Sequence, residues 1–189
     1  SDSLKTAVFI TTDKCYENIE MSYSYKETDS MGGHDPYSSS KGAAELVISS
    51  YRKSFFNNSE KKIASVRAGN VIGGGDWSPY RIIVDTIKAL ESNTEIEIRN
   101  PNAVRPWQHV LEPLNGYLLL AAKMQTEQQY DEAWNFGPEP ENIVTVKELL
   151  KEVFTYYGKG KWKDVSNQEK LHEATLLSLD ITKAKTKLQ

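Results

Sequence analysis

Two apolar runs constrain this chain more than any other feature. "TAVFITT" (6–12) and "KIASVRAG" (62–69) are built of β-branched and small residues without polar alternation, the pattern of strands covered on both faces. Between them, "YSSSKGAAELVISSYRKSFF" (37–56) carries apolar and small residues at helical spacing. Strand, helix and second buried strand in that order predict an α/β fold around a parallel sheet.

The rest of the chain keeps alternating. "NVIGGGDWSP" (70–79) reads as a glycine-rich loop, and a helix is expected over 80–90, opened by Pro79. "EIEIR" (95–99) alternates as a half-exposed strand does, and a proline-led helix is expected near Pro113. "TEQQYDE" (126–132) is a polar connector. Thr145 and Glu148 form a T-x-x-E capping box for a helix running to Tyr157. "GKGKWKD" (158–164) reads as a solvated turn, and Asp180 is expected to cap a last short helix that reaches Gln189.

Composition removes several function classes. The 189 residues fit one domain with a real core. With 23 Lys and Arg against 26 Asp and Glu, the formal charge is −3, so no basic field recruits nucleic acid. Cys15 is the single cysteine, which excludes an internal disulfide and suits a reducing cytosol. No apolar run approaches the ~18 residues that span a bilayer. The expectation is a soluble, cytoplasmic protein without nucleic-acid or membrane partners. His34, His109 and His172 are not spaced as metal ligands, so no metal is expected. Trp77 and Trp107 are expected to pack, the alternative being that they shape a substrate pocket.

Two constellations carry chemistry. Tyr37 and Lys41 stand four residues apart and share a helix face. A neighbouring ammonium favours the phenolate of a tyrosine, whose pKa is ~10 in water, and turns it into a base for an alcohol proton. The same spacing arises by chance on many helices. At the end of the first strand, "TTDKCYEN" (11–18) sets Asp13 beside Lys14, either a surface ion pair or the start of an active site. The "GGGD" loop (73–76) invites a phosphate-cradle reading, but neither G-x-x-x-x-G-K nor G-x-G-x-x-G occurs there.

The order of these parts decides between the readings. Strand, T-D-K, loop, Y-x-x-x-K helix, strand and "RAGNVIGGGDW" (67–77) resemble the extended short-chain dehydrogenase/reductase family, and within it the nucleotide-sugar 4,6-dehydratases. Thr12-Asp13-Lys14, "MGGHDPYSSSKGAAELV" (31–47) and "NPNAVRPWQHVLEPLNGYL" (100–118) resemble the branch that acts on CDP-glucose; relatives acting on dTDP-glucose carry Thr-Asp-Glu at the strand end.

The resemblance implies NAD as cofactor, with Tyr37 as base at the sugar's C4 hydroxyl and Lys41 favouring the phenolate and holding the nicotinamide ribose. It implies Asp13 as the acid for the departing C6 hydroxyl and Thr12 as a hydrogen-bond partner of the C4 oxygen. Lys14 replaces the glutamate expected as C5 base, and either serves as that base, positions Asp13 or stabilises enolate charge. Asn70, Arg81, Arg105 and Asn135 are the implied nucleotide-sugar contacts, Arg105 being suited to a diphosphate by its guanidinium fork; the alternatives are surface solvation for Arg81 and Arg105 and turn capping for Asn135.

In that scheme a partial NAD-binding Rossmann-like sheet spans about 4–70 and 107–124, and a smaller α/β substrate-binding part spans about 71–106 and 125–189. No G-x-G-x-x-G unit precedes the first strand, so the chain is expected to be a fragment lacking on the order of 100 residues of the cofactor half, inactive alone. The resemblance also implies a homo-oligomer, with helix 37–56 in a subunit interface. An epimerase, a dTDP-glucose dehydratase, and a non-catalytic nucleotide-sugar-binding module remain as alternatives. Asp13 favours dehydration over epimerisation, because only dehydration needs an acid for the C6 hydroxyl.

Overall fold

The computed structural model describes residues 3–20, 22–127, 129–166 and 176–188. The chain enters through β1 (Thr6–Ile10), turns through a one-turn 3₁₀ helix at Asp13–Cys15, and makes β2 (Ser24–Tyr25) before α1 (Pro36–Tyr51). A π turn over Arg52–Phe56 leads to β3 (Lys62–Ala68), then β4 (Val71–Ile72), α2 (Ile82–Glu91), β5 (Ile96–Ile98), β6 (Val104–Arg105) and β7 (Gln108–His109). The remaining elements are α3 (Leu111–Thr126), β8 (Ala133–Phe136), β9 (Val144–Thr145), α4 (Val146–Tyr157), β10 (Trp162–Asp164), β11 (Ser178–Leu179) and α5 (Thr182–Lys187).

The expected α/β architecture is present. β1, β3 and β8 form a parallel sheet with β3 in the middle, pairing Thr6 to Lys62 on one side and Ser65 to Ala133 on the other. Residues Ile63 to Arg67 of β3 are 5% exposed or less, which explains why that run lacks polar alternation. Ala64, Val66 and Ala68 pack with Tyr117, Leu120 and Met124 of α3 and with Trp134 and Phe136 of β8. Burying each large side chain there contributes about 2–3 kcal/mol. The fully buried Trp134 donates from its indole nitrogen to the Tyr130 carbonyl at 3.0 Å, so no polar group is stranded.

Local signals start most helices where they were expected. Asp35 accepts from the Ser38 amide at 3.0 Å and Pro36 takes the first helical position, fixing the start of α1. Thr145 and Glu148 complete the capping box of α4, which ends at Gly158 in the left-handed region, φ 79°. Asp180 accepts from the Thr182 amide at 2.8 Å at the head of α5.

Three expectations need correction. α1 ends as an α-helix at Tyr51, because the π turn over Arg52–Phe56 replaces its last turn. Pro79 does not open α2, which starts at Ile82 after Arg81 in extended backbone. The lysine-rich stretch 158–164 is not all turn: Trp162–Asp164 forms β10, parallel to β5, and Trp162 packs with Ile96, Ile98 and Leu150. Sequence-local charge hid a pairing made with a strand more than sixty positions earlier.

Gly116 gives a test of the core. Its backbone is not in the left-handed region, so in an open helix alanine would be favoured by about 1 kcal/mol. Here an added Cβ would lie 2.2 Å from the Phe136 ring. Gly116→Ala is expected to destabilise by about 1–3 kcal/mol in denaturant unfolding, reversing the propensity effect; a stabilised variant would show that the α3–β8 contact is looser than this.

Candidate active site

The site begins where β1 ends. Thr11 still belongs to the sheet, its amide donating to the Val66 carbonyl at 2.8 Å. The chain then turns through Asp13–Cys15, with the Thr12 hydroxyl accepting from the Lys14 amide at 3.3 Å. This turn is anchored from beneath: Cys15 and Tyr16 pack with Tyr25, Leu177 and Leu179, and the Tyr16 and Tyr25 rings stack at 5.3 Å. Burial pushes the Cys15 thiol up to about 12, so it stays a neutral packing group.

Asp13 is therefore not half of a surface ion pair. It is 3% exposed; Oδ1 accepts from the Thr12 hydroxyl at 2.9 Å, while Oδ2 is buried without a hydrogen-bond partner. Burial pushes its carboxyl above the ordinary aspartate range, against the opposing charges of Lys14 and Arg105 and the Thr12 hydrogen bond. Both cations thus lie within electrostatic reach of the acid, although Arg105 comes from β6, some ninety positions later. A buried carboxyl with one oxygen unpaired and its proton affinity raised by burial is suited to deliver a proton to a group that reaches that oxygen.

Tyr37 and Lys41 occupy the first turns of α1. Lys41 Nζ sits 5.5 Å from the centroid of the Tyr37 ring, confirming the shared face, and Tyr37 is 55% exposed. α1 packs directly against the Asp13–Cys15 turn: a Cβ on Gly42 would lie 3.2 Å from the Cys15 carbonyl oxygen, which also accepts from the amide of Gly32, in the loop before the helix, at 3.0 Å. The helix bearing tyrosine and lysine and the turn bearing the acid are thereby locked together.

The other expected contacts separate into groups. Asn70 is half-buried, its carbonyl accepting from the Gln108 amide at 3.0 Å. Arg81 is exposed at the head of α2. Arg105 is half-buried and donates to the Val104 carbonyl at 2.9 Å. Asn135 does not fit a nucleotide contact: it is fully buried, with its amide committed to Tyr16 Oη, the Tyr25 carbonyl and the Asp180 carbonyl. Thr12 donates its one hydroxyl hydrogen to Asp13, so a bond from it to a ligand oxygen requires the hydroxyl to turn. Trp77, expected to pack, is 60% exposed. His172 lies outside the described residues, and among the described residues no cluster of three or more His, Cys, Asp or Glu is placed to hold a metal.

Sequence reasoning missed the support beneath this site. Glu45 of α1 and Arg67 of β3 pair at 2.8 Å, both nearly inaccessible. Glu45 also accepts from the Thr11 and Ser65 hydroxyls, and Arg67 donates to Tyr16 Oη at 2.7 Å, which in turn donates to Asn135 at 2.7 Å. The available signal was an arginine inside a run otherwise fit for full burial, which demands a buried partner.

A buried acid at a parallel-strand end thus packs against a helix that carries Tyr-x-x-x-Lys. The chain belongs to the NAD dependent epimerase/dehydratase family, whose model matches residues 2–137. It is 48% identical over 192 aligned residues to the CDP-glucose 4,6-dehydratase of Salmonella typhimurium strain LT2, covering 98% of this chain and 54% of that protein. The chain thus spans about half the length of that curated relative. Its fold is similar to a dTDP-glucose 4,6-dehydratase from Streptomyces venezuelae solved with NAD (TM-score 0.79, 22% identity, 97% of this chain and 53% of that one). It is likewise similar to a UDP-glucuronic acid 4-epimerase from Bacillus cereus solved with UDP-glucuronic acid and NAD (TM-score 0.81, 19% identity, 98% and 56%). The membership expected from the motifs is borne out.

Proposed function

We propose that this chain carries the catalytic and substrate-binding residues of an NAD-dependent 4,6-dehydratase acting on CDP-glucose. The observation that carries the reading is Asp13: a buried carboxyl with Oδ2 unpaired, raised above its ordinary range by burial, at the strand end against which the Tyr37 helix packs. An epimerase has no departing C6 hydroxyl and no use for such an acid. The 48% identity to a CDP-glucose 4,6-dehydratase supports the choice of substrate.

The residues on α1 fit the nicotinamide end of NAD. Lys41 offers three N–H donors suited to vicinal ribose hydroxyls, and the Tyr37 ring is open beside it. NAD, when bound, supplies the hydride acceptor for oxidation at C4 and returns hydride at C6. Tyr37 takes the proton of the C4 hydroxyl, with the Lys41 charge favouring the phenolate. The ketone at C4 makes the C5 proton removable, and Lys14 serves there either as base or as the charge that holds the enolate. Asp13 delivers its proton to the leaving C6 hydroxyl, which departs as water. Arg105 and Arg81 hold the diphosphate, and Asn70 lines the same cleft. The scheme assigns about 4–70 and 107–124 to the sheet part and about 71–106 and 125–189 to the substrate part. Subunit contact through α1 is part of the reading, supported by the exposed Leu46, Val47, Tyr51 and Phe55.

The protein carrying this chain, incubated with NAD and CDP-glucose, is expected to yield CDP-4-keto-6-deoxyglucose by mass spectrometry. Consumption of dTDP-glucose with none of that product would overturn the assignment, and a C4 epimer would move it to the epimerase reading.

A further inference from the structure

Gly69 has no conformational reason to be glycine. Its backbone is outside the left-handed region, where any residue is accommodated. The reason lies in its surroundings: a Cβ at this position would sit 2.4 Å from Pro106 Cγ and 3.0 Å from Asp13 Oδ2. The fully buried Pro106 ring occupies the space that a side chain at 69 would need, immediately beside the unpaired acid oxygen. Glycine and the proline ring offer Oδ2 no hydrogen-bond donor, and the polar atom on that side is an acceptor, the Pro106 carbonyl oxygen, 3.3 Å from the same Cβ position.

We propose that Gly69 is a positioning residue for Asp13: its missing side chain lets Pro106 close against Oδ2, and this apolar wall keeps water off the acid in the resting site. The inference deepens the dehydratase reading and rests on it for its catalytic meaning. Without the wall, water would solvate the carboxylate and the acid would ionise more readily. The charged groups that face Asp13 are Lys14 on its own turn and Arg105 from β6; both favour ionisation, so the wall opposes them. The Cys15 thiol adjoins; Glu45 of α1 and Arg67 of β3 act on that thiol, and Asp35 at the head of α1 lies within reach of Lys14. Pro106 stands between the two-residue strands β6 and β7, where a small shift lets a substrate hydroxyl replace the ring edge. Resting geometry of this kind tightens on ligand binding.

The test reads Asp13 directly, in the protein without substrate or cofactor. Aspartate labelled with ¹³C at the side-chain carboxyl is titrated by NMR, and the Asp13 signal is assigned by its loss in Asp13→Asn. Gly69→Ala must push Pro106 away and is expected to lower the Asp13 midpoint by about one pH unit. Pro106→Ala removes the ring edge without adding a Cβ and is expected to shift it the same way, the double variant going little further than the larger single one. A midpoint unchanged or raised in folded Gly69→Ala overturns the proposal. Should that variant not fold, an unchanged or raised midpoint in Pro106→Ala overturns it instead. In turnover, the alkaline limb of kcat/KM should move down in pH by the same amount. A lowered midpoint without CDP-glucose dehydration would leave the wall standing and sink the dehydratase reading.

Discussion

Asp13→Asn is expected to let oxidation at C4 proceed and to stall elimination, whereas Tyr37→Phe is expected to stop the reaction before oxidation. Each substitution removes one proton-transferring group, the carboxyl of Asp13 or the hydroxyl of Tyr37. Removing a positioned general acid or base costs roughly 10²- to 10⁴-fold. Asparagine keeps an acceptor for the Thr12 hydroxyl and nearly the same shape in a site that is 3% exposed, so packing is preserved and only the transferable proton goes. Phenylalanine likewise keeps the ring beneath Lys41 and removes only the hydroxyl. Single-turnover absorbance of the reduced nicotinamide distinguishes them: it should accumulate in Asp13→Asn without dehydrated product and not form in Tyr37→Phe. Burial holds Asp13 protonated above its ordinary range, so wild-type elimination should weaken as pH rises through that raised value. Unchanged turnover in Asp13→Asn would remove the acid role.

Much of this was legible in the sequence because it is local. The strand runs at 6–12 and 62–69 show their burial by lacking polar residues, and Asp35, Thr145 and Gly158 mark helix ends through hydrogen bonds made within a few positions. The shared face of Tyr37 and Lys41 follows from helix geometry alone. What could not be read depends on partners distant in sequence. Gly69 and Pro106 lie beside the Asp13 carboxyl in the fold, and "TTDKCYEN" contains no trace of either. Asn135 looks like a loop asparagine until Tyr16, Tyr25 and Asp180 surround it. β10 is hidden in a lysine-rich stretch because its pairing and its apolar contact are both with residues before 155. Motifs named the residues with chemistry to offer, whereas Glu45, Arg67, Gly69 and Pro106, which surround and support them, carry no local signature of these contacts.

The buried Glu45–Arg67 pair makes the largest stability prediction, and its pH dependence identifies the cause. Arg67 ties β3 to the Asp13–Cys15 turn through Tyr16, and Glu45 ties α1 to the end of β1 through Thr11, so the pair joins the two halves of the site. Burial by itself would raise the Glu45 carboxyl, but the hydrogen bond and charge of Arg67 outweigh it and hold the group below its ordinary range. A depressed folded value contributes stability that is present above the unfolded glutamate range and is lost as pH falls through the folded value. Arg67→Met removes that pairing while filling much of the volume, and is expected to cost about 3–5 kcal/mol at pH 7 because a buried carboxylate is left uncompensated. In the variant, burial acts on Glu45 against only the Thr11 and Ser65 hydrogen bonds, and its folded value is expected to rise above the unfolded one. The variant then loses stability as pH increases through that raised value, while the wild type does not. The difference between the two in urea unfolding should accordingly shrink from pH 7 toward pH 5. A loss equal at both pH values would mean that Arg67 acts by packing and not by charge. In that case Arg67→Lys, which keeps the cation but not the bidentate reach to Glu45 and Tyr16, should be as damaging as Arg67→Met at either pH.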